Sequence, residues 1–146
     1  MSVTHLVRRA LGSVANNPPE ATGVETARSV LLPAEFGLWD GMQNRDKCHS
    51  LVVLRRFEER EPGATRAERA AALLHDVGKN ASNLGWLGRV TATLVGRRGA
   101  RFTRYHDHEA IGARMLRGVS ETRTVDLVSG VATDSVSVSL AEADDI

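Results

Sequence analysis

The chain has 146 residues, of which 42% are hydrophobic and 4% aromatic, and its formal net charge is +1. A chain of this length can bury one hydrophobic core, so a single main domain is expected. Cys48 is the only cysteine, which excludes an internal disulfide and favours a reducing, cytoplasmic location. No apolar run approaches the roughly 20 residues of a membrane-spanning helix, and Arg8 and Arg9 interrupt the apolar stretch that a signal peptide would need.

The first part of the sequence is predicted to be helical and to carry no chemistry. Turn-forming and proline residues separate three apolar segments, which predicts helices at residues 3–11, 20–31 and 33–42. Pro33 suits the first turn of the third helix. Residues 1–43 are therefore predicted to form a helical extension that packs on a main domain of residues 44–146.

A longer helix is predicted over residues 44–60, with Asn44 as its N-cap. His49 lies three and four residues before Val52 and Val53, so it borders the buried face of that helix. Taken by itself, a histidine at the edge of a core is more often a hydrogen-bonded structural residue than a metal ligand.

The next helix carries the most informative residues of the chain. Thr65 begins a capping-box pattern, which predicts the helix start, and the helix ends in His75-Asp76. Lys79 follows His75 by four residues, which predicts that it lies on the same face one turn later. His75 and Asp76 lie about 100° apart on a helix, so both can approach one ion, and a metal would offset the cost of burying the carboxylate. The structural alternative is a helix end at which Lys79 simply complements the helix dipole.

The remaining elements are also predicted to be helices, at residues 84–95, 105–117, 121–132 and 135–145. A basic loop of residues 96–101, with Arg104 just beyond it, has too few aromatic neighbours to stack single-stranded nucleic acid. His108 lies three residues before Ile111 and is the histidine of its helix that leans toward the core. The last segment alternates with period two and locally fits a strand, but an isolated strand has no partner, so a helix is preferred.

The residues with metal-binding or charged side chains occur in the order His49, His75-Asp76, Lys79, His108 and Asp144. This order resembles the HD-domain superfamily of metal-dependent phosphohydrolases, in which a histidine, a later His-Asp pair and a distant aspartate recur. The resemblance covers residues 44–146 and is strongest over residues 73–79, Leu-Leu-His-Asp-Val-Gly-Lys. Residues 108–113 are similar to the His-x-x-x-Gly-Ala segment of several subfamilies. The resemblance implies an all-α, HD-domain-like helical bundle with a central metal cleft.

The resemblance also implies a cofactor and a reaction. One divalent ion (Mn, Fe, Co, Ni, Mg or Zn) would be bound by His49, His75, Asp76 and Asp144. A metal-activated water would hydrolyse a nucleotide or another small phosphate ester. Asp76 would hold or deprotonate that water, Lys79 would contact the phosphate, and His108 would bind a second metal or the substrate. The implied partner is a small phosphorylated substrate, with neither a membrane nor specific nucleic-acid binding expected, and a homo-oligomer is compatible with the sequence.

Two features of the sequence keep other hypotheses open. Two-metal relatives supply a histidine near the position of Ala132, and Asp144 lies two residues from the C-terminus, where Asp145 or the more distant Asp134 could replace it. One alternative is a catalytically degenerate HD module that binds a nucleotide or a protein partner without turnover. Another is a helical interaction domain, in which His75→Ala would leave metal content unchanged.

Overall fold

The computed structural model describes residues 17–82 and 103–145, with side chains described for residues 17–79 and 109–145. Over these ranges the chain is helical and contains no strand, which confirms the predicted all-α class. The elements are α1 (Ala21–Val30), α2 (Pro33–Asp40), α3 (Asn44–Arg60), α4 (Arg66–Leu74), a 3₁₀ helix (Val77–Ser82), α5 (Thr103–Leu116), α6 (Thr122–Val128) and α7 (Ser135–Asp144). The helices predicted at residues 3–11 and 84–95 lie outside the described residues, as does the basic loop of residues 96–101.

The predicted helix boundaries at Asn44 and at residue 132 are wrong, each for a local reason. Asn44 is the first residue of α3 and not its N-cap, because the extended backbone of a cap falls on Gln43. The Gln43 side chain makes no capping hydrogen bond. The helix predicted to reach residue 132 ends at Val128, because Gly130 adopts a positive φ of 77°. Only glycine adopts that conformation without strain, and it commonly ends a helix.

The starts of α4 and α7 are both set by side-chain caps. Thr65 Oγ1 accepts from the backbone N–H of Glu68 at 3.3 Å, and Glu68 Oε2 accepts from the N–H of Thr65 at 2.9 Å, so the predicted capping box is present. Asp134 Oδ1 accepts from the N–H of Ser137 at 3.0 Å and begins α7. Because this cap supplies a helix start, the period-two segment becomes a helix with Leu140 and Ala143 buried.

The core forms around α4, whose alanines allow neighbouring helices to approach closely. Residues 70–74 are fully buried, and α3 and α6 pack on either side of this helix. Trp39 and Phe57 are the largest fully buried side chains, and the Trp39 indole N–H donates to Ser50 Oγ at 2.9 Å. The helices α1 and α2 contribute to the same core, while the division of the chain at residue 43 stays a prediction.

The pairing of α3 with α7 is what positions the candidate site. His49 contacts Asp144, and at the other end Ser139 Oγ donates to Glu61 Oε1 at 2.7 Å, so the two helices run antiparallel. This pairing brings the end of α7 to the end of α4. Within the described residues, no helix is long and apolar enough to span a membrane.

Candidate metal centre

Side chains from three helical segments meet at one point. Each residue of the group offers one ligand atom, and all four atoms lie within 4.8 Å of one another. The group consists of His49, His75, Asp76 and Asp144. These are the four residues for which the sequence resemblance implied a shared ion. The structure thus brings together positions separated by as many as 95 residues.

His75 lies at the end of α4, and its ring orientation suits a metal ligand. Its Nδ1 lies 2.8 Å from the backbone carbonyl of Ala72, which can only accept, so Nδ1 carries the hydrogen. Its Nε2 therefore points into the site, 3.0 Å from Asp144 Oδ1 and 3.3 Å from Asp76 Oδ2. A backbone acceptor behind the ring is the usual way in which proteins fix a metal-binding histidine.

His49 approaches the same carboxylate from the second turn of α3. Its Nε2 lies 2.8 Å from Asp144 Oδ1, and the centres of the His49 and His75 rings are 5.6 Å apart. Both histidines thus direct Nε2 at one oxygen. His49 is 36% exposed and Asp144 45%, whereas His75 and Asp76 are nearly buried, so the site opens on the side of His49 and Asp144.

Asp144 is the aspartate of the C-terminal segment that the fold brings to the site. Asp145, the nearby alternative, caps the end of α7, and Asp134, the distant one, caps its beginning; neither belongs to the metal-capable group. Asp134 is also bound to Arg123 at 2.7 Å. Ala143 is fully buried beside Asp144, and this burial helps to anchor the last turn of α7.

The charges of the site balance one another. Burial alone would lower the pKa of His75, but hydrogen bonds with Asp144 and Asp76 outweigh it and raise that pKa to about 10. Burial alone would raise the pKa of Asp76, but His75 and Lys79 bring it down to about 2. Hydrogen bonds with His49 and His75 hold the pKa of Asp144 well below its ordinary value. Two ionised carboxylates therefore face a centre that attracts positive charge, supplied by a proton or by a cation.

Lys79 lies beside Asp76, in a geometry that differs from the predicted one. The four-residue spacing predicts Lys79 on the face of His75 only if the α-helix continues. The α-helix ends at Leu74 instead, and the 3₁₀ helix that follows aligns residues three apart. Lys79 Nζ accordingly lies 3.0 Å from Asp76 Oδ2, and its side chain is half exposed, at 50%.

His108 and Ala132 are the two positions that decide whether a second metal could bind. His108 lies in α5, but its side chain is outside the described ones, so its proposed role stays a prediction. Gly112, one turn later, is buried, and a Cβ there would lie 3.4 Å from the backbone nitrogen of Gly78, so α5 packs closely on the 3₁₀ helix. Ala132 packs against the core and has no donor atom to offer.

One residue near the site was missed by sequence reasoning. Arg56 Nη2 lies within hydrogen-bonding distance of two backbone carbonyls at the end of α7. The only sequence signal for this contact is that Arg56 follows His49 by seven residues, two helical turns along the same face of α3.

Comparisons of this chain with protein-family models, with curated proteins and with solved structures found no match.

Proposed function

We propose that this chain is an HD-domain phosphohydrolase that uses one divalent metal ion to cleave a nucleotide or another small phosphate ester. The observation that supports this most is the convergence of four ligand atoms within 4.8 Å of one another, from positions spread over the sequence. That set agrees residue by residue with the set implied by the HD pattern of the sequence. A chance surface cluster has no reason to follow the order of a family motif.

The donor set fits a divalent ion. Two imidazole nitrogens and two carboxylate oxygens suit Mn, Fe, Co, Ni or Zn, and Mg is compatible with the carboxylates. The fixed ring of His75 presents Nε2 without rearrangement. Asp144 Oδ1 already lies within hydrogen-bonding distance of both histidines, so an ion between them requires small side-chain movements only.

Asp76 and Lys79 would have different roles in catalysis. A bound divalent cation supplies Lewis acidity and lowers the pKa of water by many units. Asp76 is held ionised by His75 and Lys79, and its low pKa makes it a poor base, so it suits orienting the attacking water better than deprotonating it. Lys79 presents a half-exposed ammonium beside Asp76, where it can bind phosphate oxygens and stabilise charge that develops during the reaction.

Activity assays can test this proposal directly. Protein purified without a metal-affinity tag is supplied with Mn²⁺ or Co²⁺ and assayed against a panel of phosphomonoesters and nucleotides. Turnover of at least one substrate is expected, and Lys79→Met should lower kcat/KM about 100-fold while leaving metal content unchanged. Lys79→Arg, which keeps the charge, should retain more activity than Lys79→Met. A panel without any turnover, with metal demonstrably bound, contradicts the catalytic claim.

A non-catalytic role is the second candidate, and the packing of Ala132 supports it. Because Ala132 offers no donor and lies against the core, a complete second metal site would lack the histidine that two-metal relatives supply. An HD module of this kind would bind a nucleotide or a protein partner without turnover. Thermal stabilisation by a nucleotide, with no product formed over long incubation, would favour this candidate over the phosphohydrolase.

A further inference from the structure

The C-terminal end of α7 is held by a cation from α3. The last carbonyls of a helix have no partner within the helix and carry partial negative charge. Arg56 Nη2 donates to two of these carbonyls, the oxygen of Glu142 at 3.5 Å and the oxygen of Asp145 at 3.4 Å. These two residues flank Asp144, so Arg56 holds the backbone on both sides of the carboxylate that both histidines contact.

The arginine and the first histidine share one face of α3. Arg56 follows His49 by seven residues, which places it two turns further along the same side. The same helix therefore supplies a ligand to the centre and an anchor for the helix that bears another ligand. Among the described residues, Arg60, one turn later, reaches only the side chain of Glu142, with Nε–Oε2 at 3.5 Å and 61% of Glu142 exposed. An exposed ion pair of this kind contributes little, so of the two arginines Arg56 is the one that holds the backbone at the end of α7.

We infer that Arg56 is a positioning residue of the metal centre. It fixes the last turn of α7 so that Asp144 reaches His49 and His75, without itself touching the ion. The last turn of a helix frays unless something ties it down, and a frayed turn would hold Asp144 at the centre for less of the time. The inference rests on the proposed metal site, but not on the site being catalytic.

Cobalt binding tests the inference, because Co²⁺ reports both affinity and ligand geometry through its visible absorption spectrum. Arg56→Gln removes the anchor, and Arg55→Gln is the matched control. Arg55 is exposed, and within the described part of the chain it makes no hydrogen bond or ion pair, so its substitution removes the same charge without removing the anchor. Arg56→Gln should weaken Co²⁺ binding about tenfold and alter the spectrum, while Arg55→Gln keeps the wild-type affinity and spectrum.

A second variant separates positioning from folding. Arg56→Lys keeps the charge and can reach one carbonyl, so it should fold as the wild type does and bind Co²⁺ with an intermediate affinity. If Arg56→Gln does not fold, the affinity of Arg56→Lys relative to the wild type decides the question. Equal affinity in the folded Arg56 variants and in Arg55→Gln would overturn the inference.

The outcomes also separate this inference from the proposed function. Weakened Co²⁺ binding in the Arg56 variants, together with no turnover of any phosphate ester by the wild type, would leave the inference standing and end the catalytic proposal. Turnover by the wild type with unchanged Co²⁺ affinity in the Arg56 variants would support the catalytic proposal and overturn the inference about Arg56. A wild-type protein that binds no Co²⁺ would end both.

Discussion

Metal binding at this centre should compete with a proton on His75. The Nε2 atom lies 3.0 Å from Asp144 Oδ1 and 3.3 Å from Asp76 Oδ2. Burial alone would lower the pKa of His75, but these two carboxylates outweigh burial and raise it to about 10. A metal ion needs the unprotonated ring nitrogen, so it has to displace this proton at any pH below about 10.

The raised pKa of His75 sets both the direction and the size of the effect of pH on metal affinity. Because the pKa is raised, each unit by which the pH rises toward about 10 should tighten metal binding about tenfold. At about pH 7, displacing the proton costs about 4 kcal/mol. In the metal-free protein the same proton stabilises the fold: its contribution is complete below the unfolded-state pKa of about 6.5 and is lost as the pH rises through about 10.

Isothermal titration calorimetry with Mn²⁺ or Co²⁺ measures both the affinity and the protons released. Titrations at about pH 6, 7 and 8, each in two buffers with different ionisation enthalpies, should show at least about one proton released per ion and tighter binding at each higher pH. An affinity that is the same at the three pH values, with no proton release, would refute the reasoning, because His75 would then not be protonated at the centre.

Three further predictions concern the scaffold, and the free energy of unfolding in urea measures each. Thr65→Ala removes the cap of α4 and should cost about 1 kcal/mol; an unchanged midpoint would mean that the cap is not used in solution. Gly112→Ala places a Cβ 3.3–3.4 Å from neighbouring atoms and should cost about 1–3 kcal/mol, whereas Gly37→Ala, with no atom within 4 Å, should stabilise α2 by about 0.5–1 kcal/mol. Equal effects of the two alanines would contradict the close packing of α5. Arg66→Ala leaves the fully buried carboxylate of Glu35 without its ion-pair partner and should cost about 3 kcal/mol, more than Glu35→Gln; the reverse order would contradict a buried ion pair.

Local sequence signals were enough to predict most of the described helices. The capping pattern at Thr65 and the apolar spacing of residues 44–60 depend on neighbours within a few residues, and both agree with the structure. The segment 135–144 was ambiguous, because its period-two alternation fits a strand. Asp134 resolves the ambiguity by capping a helix, and the choice of a helix over an unpartnered strand was correct.

The site could be predicted only as a set of residues and not as a geometry. The order of histidines and aspartates identified which residues converge, but the change from an α-helix to a 3₁₀ helix moved Lys79 from the face of His75 to Asp76. The preference for Asp144 over Asp145, and the anchor by Arg56, depend on how α7 packs on α3, about 90 residues away in sequence. Short-range patterns carry no information about that packing.

The metal content of the purified protein tests the central claim most directly. Elemental analysis of untagged protein, after exposure to Mn²⁺ or Co²⁺ and removal of free metal, should give about one ion per chain for the wild type. His75→Ala should lose the ion, whereas Asp145→Asn, which alters the neighbouring carboxylate that lies outside the metal-capable group, should keep it. A wild type without bound metal, or a His75→Ala variant with the full complement, would contradict a metal centre at the meeting point of α3, α4 and α7.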